Sequence, residues 1–278
     1  MQKKEFIILP KRKELKLYEE YGFNTFILPL KDYSIGFNVY FDIDEINEIA
    51  KCNVVYVIMN RLLHKQVYDF DISKFNDNIK FIVEDIGLLS FIPKKRIILY
   101  EHHILSNYKA VNYLNTLGIN SVVINNDLTI DELMKINNEC KSNIFYFYVS
   151  KNTLMYSRRA LVSNFNKYYD IDSNKNYYNL SEKSSHHKLI VKEEKTGSVI
   201  LNDRIFCASK YLNKLKCFNL IINLTDIDDI SEKIILSECE SDSLCNLIDS
   251  DYYFLENDIK YKVGDLKWNM NYYYLLGT

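Results

Sequence analysis

Eight short runs of wholly apolar or β-branched residues recur along the chain, at 6–9, 25–30, 54–58, 81–83, 97–100, 121–124, 144–148 and 218–224. A strand with one wet face alternates apolar and polar residues. A strand that is apolar throughout is buried on both faces, as in a parallel sheet covered by helices. Between several of these runs the spacing turns helical. Leu15, Tyr18 and Tyr21 share a face that stops at Gly22, and Ala110, Val111, Leu114 and Leu117 share one that stops at Gly118, where glycine suits a left-handed C-cap. Asp42 with Glu45, and Thr129 with Glu132, each read as a capping box at a helix start. Further helices are read at about 203–215 and 228–236. Eight β-α units in 278 residues predict a (β/α)8 TIM-type barrel, whole or else incomplete or distorted; the alternative is an open doubly wound sheet.

One segment breaks the rhythm. Residues 152–188 are polar, rich in Asn, Tyr and Ser, and long for a βα loop, which predicts an insertion after strand seven over the barrel mouth. Residues 188–191 and 198–201 predict a hairpin, so 152–202 reads as an insertion/hairpin segment on one domain spanning 1–278. Residues 251–278 form a C-terminal extension to which no position is assigned. A domain of this size buries roughly 75% of its extended-chain surface and folds without disulfide or metal. Lys+Arg 35 against Asp+Glu 37 leaves a charge of −2, so no global basic field points to DNA or a membrane surface. The apolar run before Pro10 is too short for a signal peptide, and none approaches the roughly 18–20 residues that span a bilayer. The expectation is a cytoplasmic protein whose six cysteines are reduced.

Thr153 to Phe165 reads Thr-Leu-Met-Tyr-Ser-Arg-Arg-Ala-Leu-Val-Ser-Asn-Phe. It resembles the Met-x-Tyr-Ser-x-Arg-Cys-Leu-Leu-Ser segment that follows a barrel strand in the collagenase-like peptidase family of unassigned mechanism, peptidase family U32. Three further segments look like the same family in the same order: 81–89, 106–136 and 194–212. The resemblance implies a barrel and either a peptidase or a role in RNA or quinone hydroxylation. In the branch that carries a [4Fe-4S] cluster, it places Cys207 on the last cluster cysteine and Ala160 on the first. Residues 161–206 contain no Cys, so the two remaining ligands are missing as well. Soft thiolates are needed to hold such irons, and an alanine methyl ligates nothing. No cofactor is therefore expected, and hydroxylation would require a protein partner carrying the redox centre. The family's Ser-Thr-Gln segment is replaced by Tyr100-Glu101-His102, and its late Ile-Glu-Gly-Arg strand end by Ile222-Asn223-Leu224-Thr225.

In a barrel, active residues sit at the C-terminal strand ends. Those ends supply Asn60 and Arg61, Glu84 and Asp85, Glu101 to His103, Asn126 and Asp127, Lys151 with the Tyr156–Arg159 cluster, and Thr225 with Asp226. Glu84 and Glu101 end neighbouring strands about 5–7 Å apart, a separation that can share a proton or hold a divalent metal. His102 or His103 is then the base or third ligand, and His103 completes the candidate catalytic set. The plainer reading is that a glutamate at a strand end meets water, and that Asp85 caps the next helix. Arg158 and Arg159, flanked by Tyr156, can clamp a carboxylate or phosphate; with Asp127 they form the candidate ligand-binding set, Arg159 matching the family motif's Arg. No Gly-x-Ser-x-Gly, His-Glu-x-x-His or glycine-rich phosphate loop is present. The expected function is binding of a small anionic ligand, or of a peptide or RNA segment, at the barrel mouth, with a divalent-metal-dependent hydrolase as the alternative.

Overall fold

The structure, a computed structural model, describes residues 4–101, 105–181 and 188–256. In chain order the first seven strands are β1 (Ile7–Leu9), β2 (Thr25–Pro29), β3 (Val54–Met59), β4 (Lys80–Val83), β5 (Ile97–Tyr100), β6 (Ser121–Ile124) and β7 (Asn143–Ser150). There follow β8 (Thr153–Ser157), β9 (Tyr177–Ser181), β10 (Lys188–Glu194), β11 (Gly197–Asn202) and β12 (Ile205–Cys207), then β13 (Asn219–Asn223) and the short β14 (Ser250–Asp251). Strands β1 to β7 and β13 are parallel, and β13 pairs with both β1 and β7. The ring is closed, which makes it a (β/α)8 barrel and sets the open sheet aside.

Both faces of these strands are buried, which is why the sequence shows apolar runs. One set of side chains, including Leu9, Ile27, Ile58, Ile82, Ile98, Val123, Phe147 and Ile221, fills the barrel interior. The alternate set packs outward against α1 (Lys16–Glu20), α2 (Ile43–Ile49), α3 (Tyr108–Thr116), α4 (Ile130–Glu139) and their connections. Both capping boxes form, at Asp42 and at Thr129. Gly118 takes φ +83° after α3, the left-handed region its position demands.

Two units depart from the expected pattern. The β3–β4 and β4–β5 connections hold only 3₁₀ turns, at Lys65–Asp69, Ile72–Lys74, Ile86–Ser90 and Lys94–Arg96. Aromatic rings fill the space a helix would take. Phe70, Phe75 and Phe81 pack with centroids 5.0–5.8 Å apart, and the Arg96 guanidinium lies 5.1 Å over the Phe81 ring.

The helix read at about 203–215 is also corrected. Ile205, Phe206 and Cys207 are buried in β12, antiparallel to β7, and only Leu212–Leu215 is helical (α6) after α5 (Leu161–Tyr168). The cause is the length of β7, whose last residues extend past its pairing with β6, which ends at Tyr146, and offer Val149 and Ser150 to a new partner. The helix after β13 is α7 (Asp229–Glu238), capped by Asp228. Its Glu232, 2% exposed, receives Arg12 and, at 3.1 Å, the Tyr18 hydroxyl, so the basic residues after β1 are spent tying that strand to α7.

The insertion is an ordered unit. Strands β8, β11, β10 and β9 form, in that order, an antiparallel sheet, with β10 and β11 the predicted hairpin. Helix α5 packs on it, Leu161 N donating to Ser198 Oγ at 3.1 Å and Ser163 N to Glu193 Oε2 at 3.0 Å. Among the described residues no helix is long and apolar enough to cross a membrane.

Candidate functional site at the barrel mouth

The inward alternation of the barrel strands continues one step past their apolar residues. Two residues beyond Ile58, Ile82, Ile98, Val123 and Ile221 stand Asn60, Glu84, Tyr100, Asn125 and Asn223. A polar layer therefore caps the hydrophobic interior at the C-terminal end, where barrels place their chemistry. Asn60, Tyr100, Asn125, Asn126, Asp127, Lys151, Asn152, Asn202 and Asn223 line a pocket of about 200 Å³ there, floored by Ile58, Ile124 and Phe147. Tyr253 and Phe254 form part of its wall.

The loop at 31–42 closes one side. The Asn60 side chain grips Ile35 both ways, accepting from its N at 2.9 Å and donating to its carbonyl at 3.0 Å. Ser34 Oγ donates to the Ile58 carbonyl at 2.6 Å. Held so, the loop drops Phe37 onto the inner apolar cluster. The far side of the loop carries the insertion sheet. Gly36 N donates to Glu194 Oε1 at 2.9 Å, and the Tyr40 hydroxyl bonds Glu194 at 2.7 Å. Val199 methyls sit 3.3 Å from where a Cβ on Gly36 would stand. Lys192 pairs with Asp226, which Asn38 also bonds.

Around the pocket the amides bond one another. Asn126 Nδ2 donates to the Phe147 carbonyl at 3.0 Å and to Asn152 Oδ1 at 3.3 Å, and Ser150 Oγ donates to Asn152 Oδ1 at 2.6 Å. Asn126 Oδ1 is buried with no hydrogen-bond partner among the described residues. Lys151 lines the pocket and makes no ion pair among them.

Burial, and then the charges of Glu101 and Asp85, push the Glu84 carboxyl up to about 8. Burial, Glu84 and Asp127 together push the Tyr100 hydroxyl well above its usual value. The structure thus brings Glu84, Glu101, Tyr100 and Asp127 into one electrostatic neighbourhood. Asp85 serves as the cap read from sequence, accepting from Gly87 N at 2.8 Å and Leu63 N at 2.6 Å. His103, with His102, lies outside the described residues.

Arg158 and Arg159 stand exposed at the bend between β8 and α5, away from the pocket lining. Tyr156 is half-buried against Ile35, Val199 and Leu201, a packing position. Sequence reasoning alone does not reach Asn125, Asn152, Asn202, Asn223 or Phe37. For Asn125 and Asn223 a signal exists, since each lies two residues beyond an inward-facing apolar residue.

The cluster positions are far from interchangeable. Ala160 is exposed at the start of α5, whereas Cys207 is fully buried on β12, its thiol pushed up to about 11 by burial. Cys239 and Cys245 neighbour the same Tyr148 hydroxyl as Cys207. Among the described residues no three His, Cys, Asp or Glu gather as metal ligands. The described donors do not fit a [4Fe-4S] cluster, which asks for four soft ligands around one point.

The model of peptidase family U32 matches residues 12–224, and the chain belongs to that family. Among solved structures it is similar to the U32 peptidase Mk0906, with 10% identity, 80% of this chain and 92% of that chain covered, and a TM-score of 0.45. No curated protein matches the chain.

Proposed function

We propose that this U32-family protein binds a small anionic ligand at its barrel mouth, in a cytosolic setting and without an iron–sulfur cluster. The reading is carried by Lys151, a cation without an ion-pair partner among the described residues, in the lining of a small pocket that is otherwise rich in neutral amides. A ligand carboxylate or phosphate directed at Lys151 supplies the missing counter-charge. Glu84 does not repel such a ligand: with its carboxyl near 8 it holds its proton at neutral pH and adds no negative charge beside the pocket. At about 200 Å³ the pocket accepts a small molecule or the end of a peptide, not a stacked RNA segment.

Succinate, glutamate and inorganic phosphate serve as probes in thermal-shift and calorimetric titrations. At least one is expected to stabilise the protein, with affinity falling about 10-fold or more in Lys151→Ala, the effect of deleting a charge-assisted bond. Affinity should also weaken above pH 8 as Glu84 ionises. Equal binding by wild type and Lys151→Ala, or no stabilisation by any of the three, refutes the reading.

A second reading has one observation in its favour. Glu101 is close enough to Glu84 to help hold its proton on, and a divalent cation between them would let both ionise. Manganese or magnesium that stabilises wild type but not Glu101→Gln supports a metal-dependent hydrolase instead.

A further inference from the structure

Among the described residues, the insertion sheet ends in an edge that lacks the usual protections. In the order β8-β11-β10-β9, strand β9 is outermost and pairs only with β10 among the described residues. Glu193 N donates to the Asn176 carbonyl at 2.7 Å, which fixes the phase of the antiparallel ladder. Tyr178 and Leu180 therefore bond β10, while the backbone N–H and C=O of Tyr177, Asn179 and Ser181 point away from the sheet. Soluble proteins blunt such edges with charges, proline or a bulge. Tyr177–Ser181 contains none of these, and its register with β10 is unbroken.

The two faces beside this edge are differentiated. Tyr177 and Asn179 line a cavity of about 950 Å³ between the sheet and the 31–42 loop. The even residues face α5, where Tyr178 donates to Asn166 Oδ1 at 2.9 Å and its ring lies 6.2 Å from Phe165. Phe165 and Tyr169, 4.8 Å apart, remain 48% and 60% exposed, and Leu180 beside them 39%. Only another extended backbone can match an open row of alternating main-chain donors and acceptors. Its side chains would alternate between the polar cavity and the aromatic wall.

We propose that β9 takes an extended peptide segment of a partner protein as a fifth strand, with apolar side chains toward Phe165, Tyr169 and Leu180 and polar ones toward the cavity. This site is separate from the mouth pocket and does not depend on the reading proposed for it.

The test uses the full chain and a fluorescein-labelled octapeptide alternating valine with serine, read by anisotropy. Wild type is expected to bind saturably below ~1 mM. Asn179→Pro, which deletes an outward N–H that β10 does not use, should lose about 10-fold or more, and well beyond the loss in Asn179→Ala, which keeps that N–H. Amide exchange on wild type provides a readout independent of that variant's folding. The peptide should slow Tyr177, Asn179 and Ser181 but not Tyr178 and Leu180, already bonded to β10. The proposal is overturned by equal binding to Asn179→Pro, by no binding or protection at ~1 mM, or by a wild-type dimer that Asn179→Pro dissolves, which would give the edge to a second copy.

Discussion

Glu84→Gln is expected to make the protein more stable than wild type above pH 8 and to change it little near pH 5. Burial and the neighbouring Glu101 raise the Glu84 carboxyl from 4.5 to about 8. Below pH 4.5 the side chain is protonated in both folded and unfolded chains, so its contribution is fully present. Between 4.5 and 8 the unfolded chain releases the proton and the folded one keeps it, so stability falls as pH rises. Above 8 the loss is complete. At roughly 1.4 kcal/mol per pH unit the ceiling is about 5 kcal/mol, and solvent reaching the side chain lowers the expectation to about 2–3 kcal/mol. Glutamine keeps the shape and has no charge to bury. For a chain of this size the gain at pH 9 is about 3–5 °C in Tm. Melting curves of both proteins at pH 5, 7 and 9 check it; a difference that does not grow with pH would mean Glu84 titrates like a surface carboxylate.

Gly197→Ala should break the insertion sheet and spare the barrel. Gly197 has φ +149°, and a Cβ there would lie 2.4 Å from the Ser157 carbonyl oxygen, 2.9 Å from the Tyr156 ring and 3.2 Å from Arg158 Cα. Two of these three neighbours are backbone and cannot step aside without opening the β8–β11 pairing at Ser198 and Ser157. A local cost of about 3 kcal/mol or more follows from the strained conformation and the overlap together. Limited proteolysis should cut the variant first within 152–202, at protease levels that leave wild type intact, while the barrel's near-ultraviolet dichroism is retained. Identical digestion of the two proteins would show that the turn relaxes cheaply.

The barrel strands were legible because burial on both faces leaves no polar residue to interrupt them, and the capping boxes at Asp42 and Thr129 because their chemistry is local. Strands β8 and β9 were not. As the edges of a small sheet they carry Thr, Asn and Ser, and nothing within five residues separates them from a loop. Strand β12 escaped for another reason, since its pairing is set by how far β7 outruns β6. At the site, the proximity of Glu84 and Glu101 follows from strand order alone. The asparagine layer needs the inward register as well, because a lone Asn after a strand reads as a turn residue. The positions of Arg158 and Tyr156 depend on how the insertion folds back, which no local pattern encodes.

The 31–42 loop makes barrel and insertion a single inheritance. Its near side is clasped by Asn60 and plugs the interior with Phe37, while its far side, through Gly36 and Tyr40, holds Glu194 of the insertion. Anyone transplanting 152–202 onto another scaffold would have to carry this loop and its Asn60 anchor along. The sheet, for all its separate topology, is not a portable module.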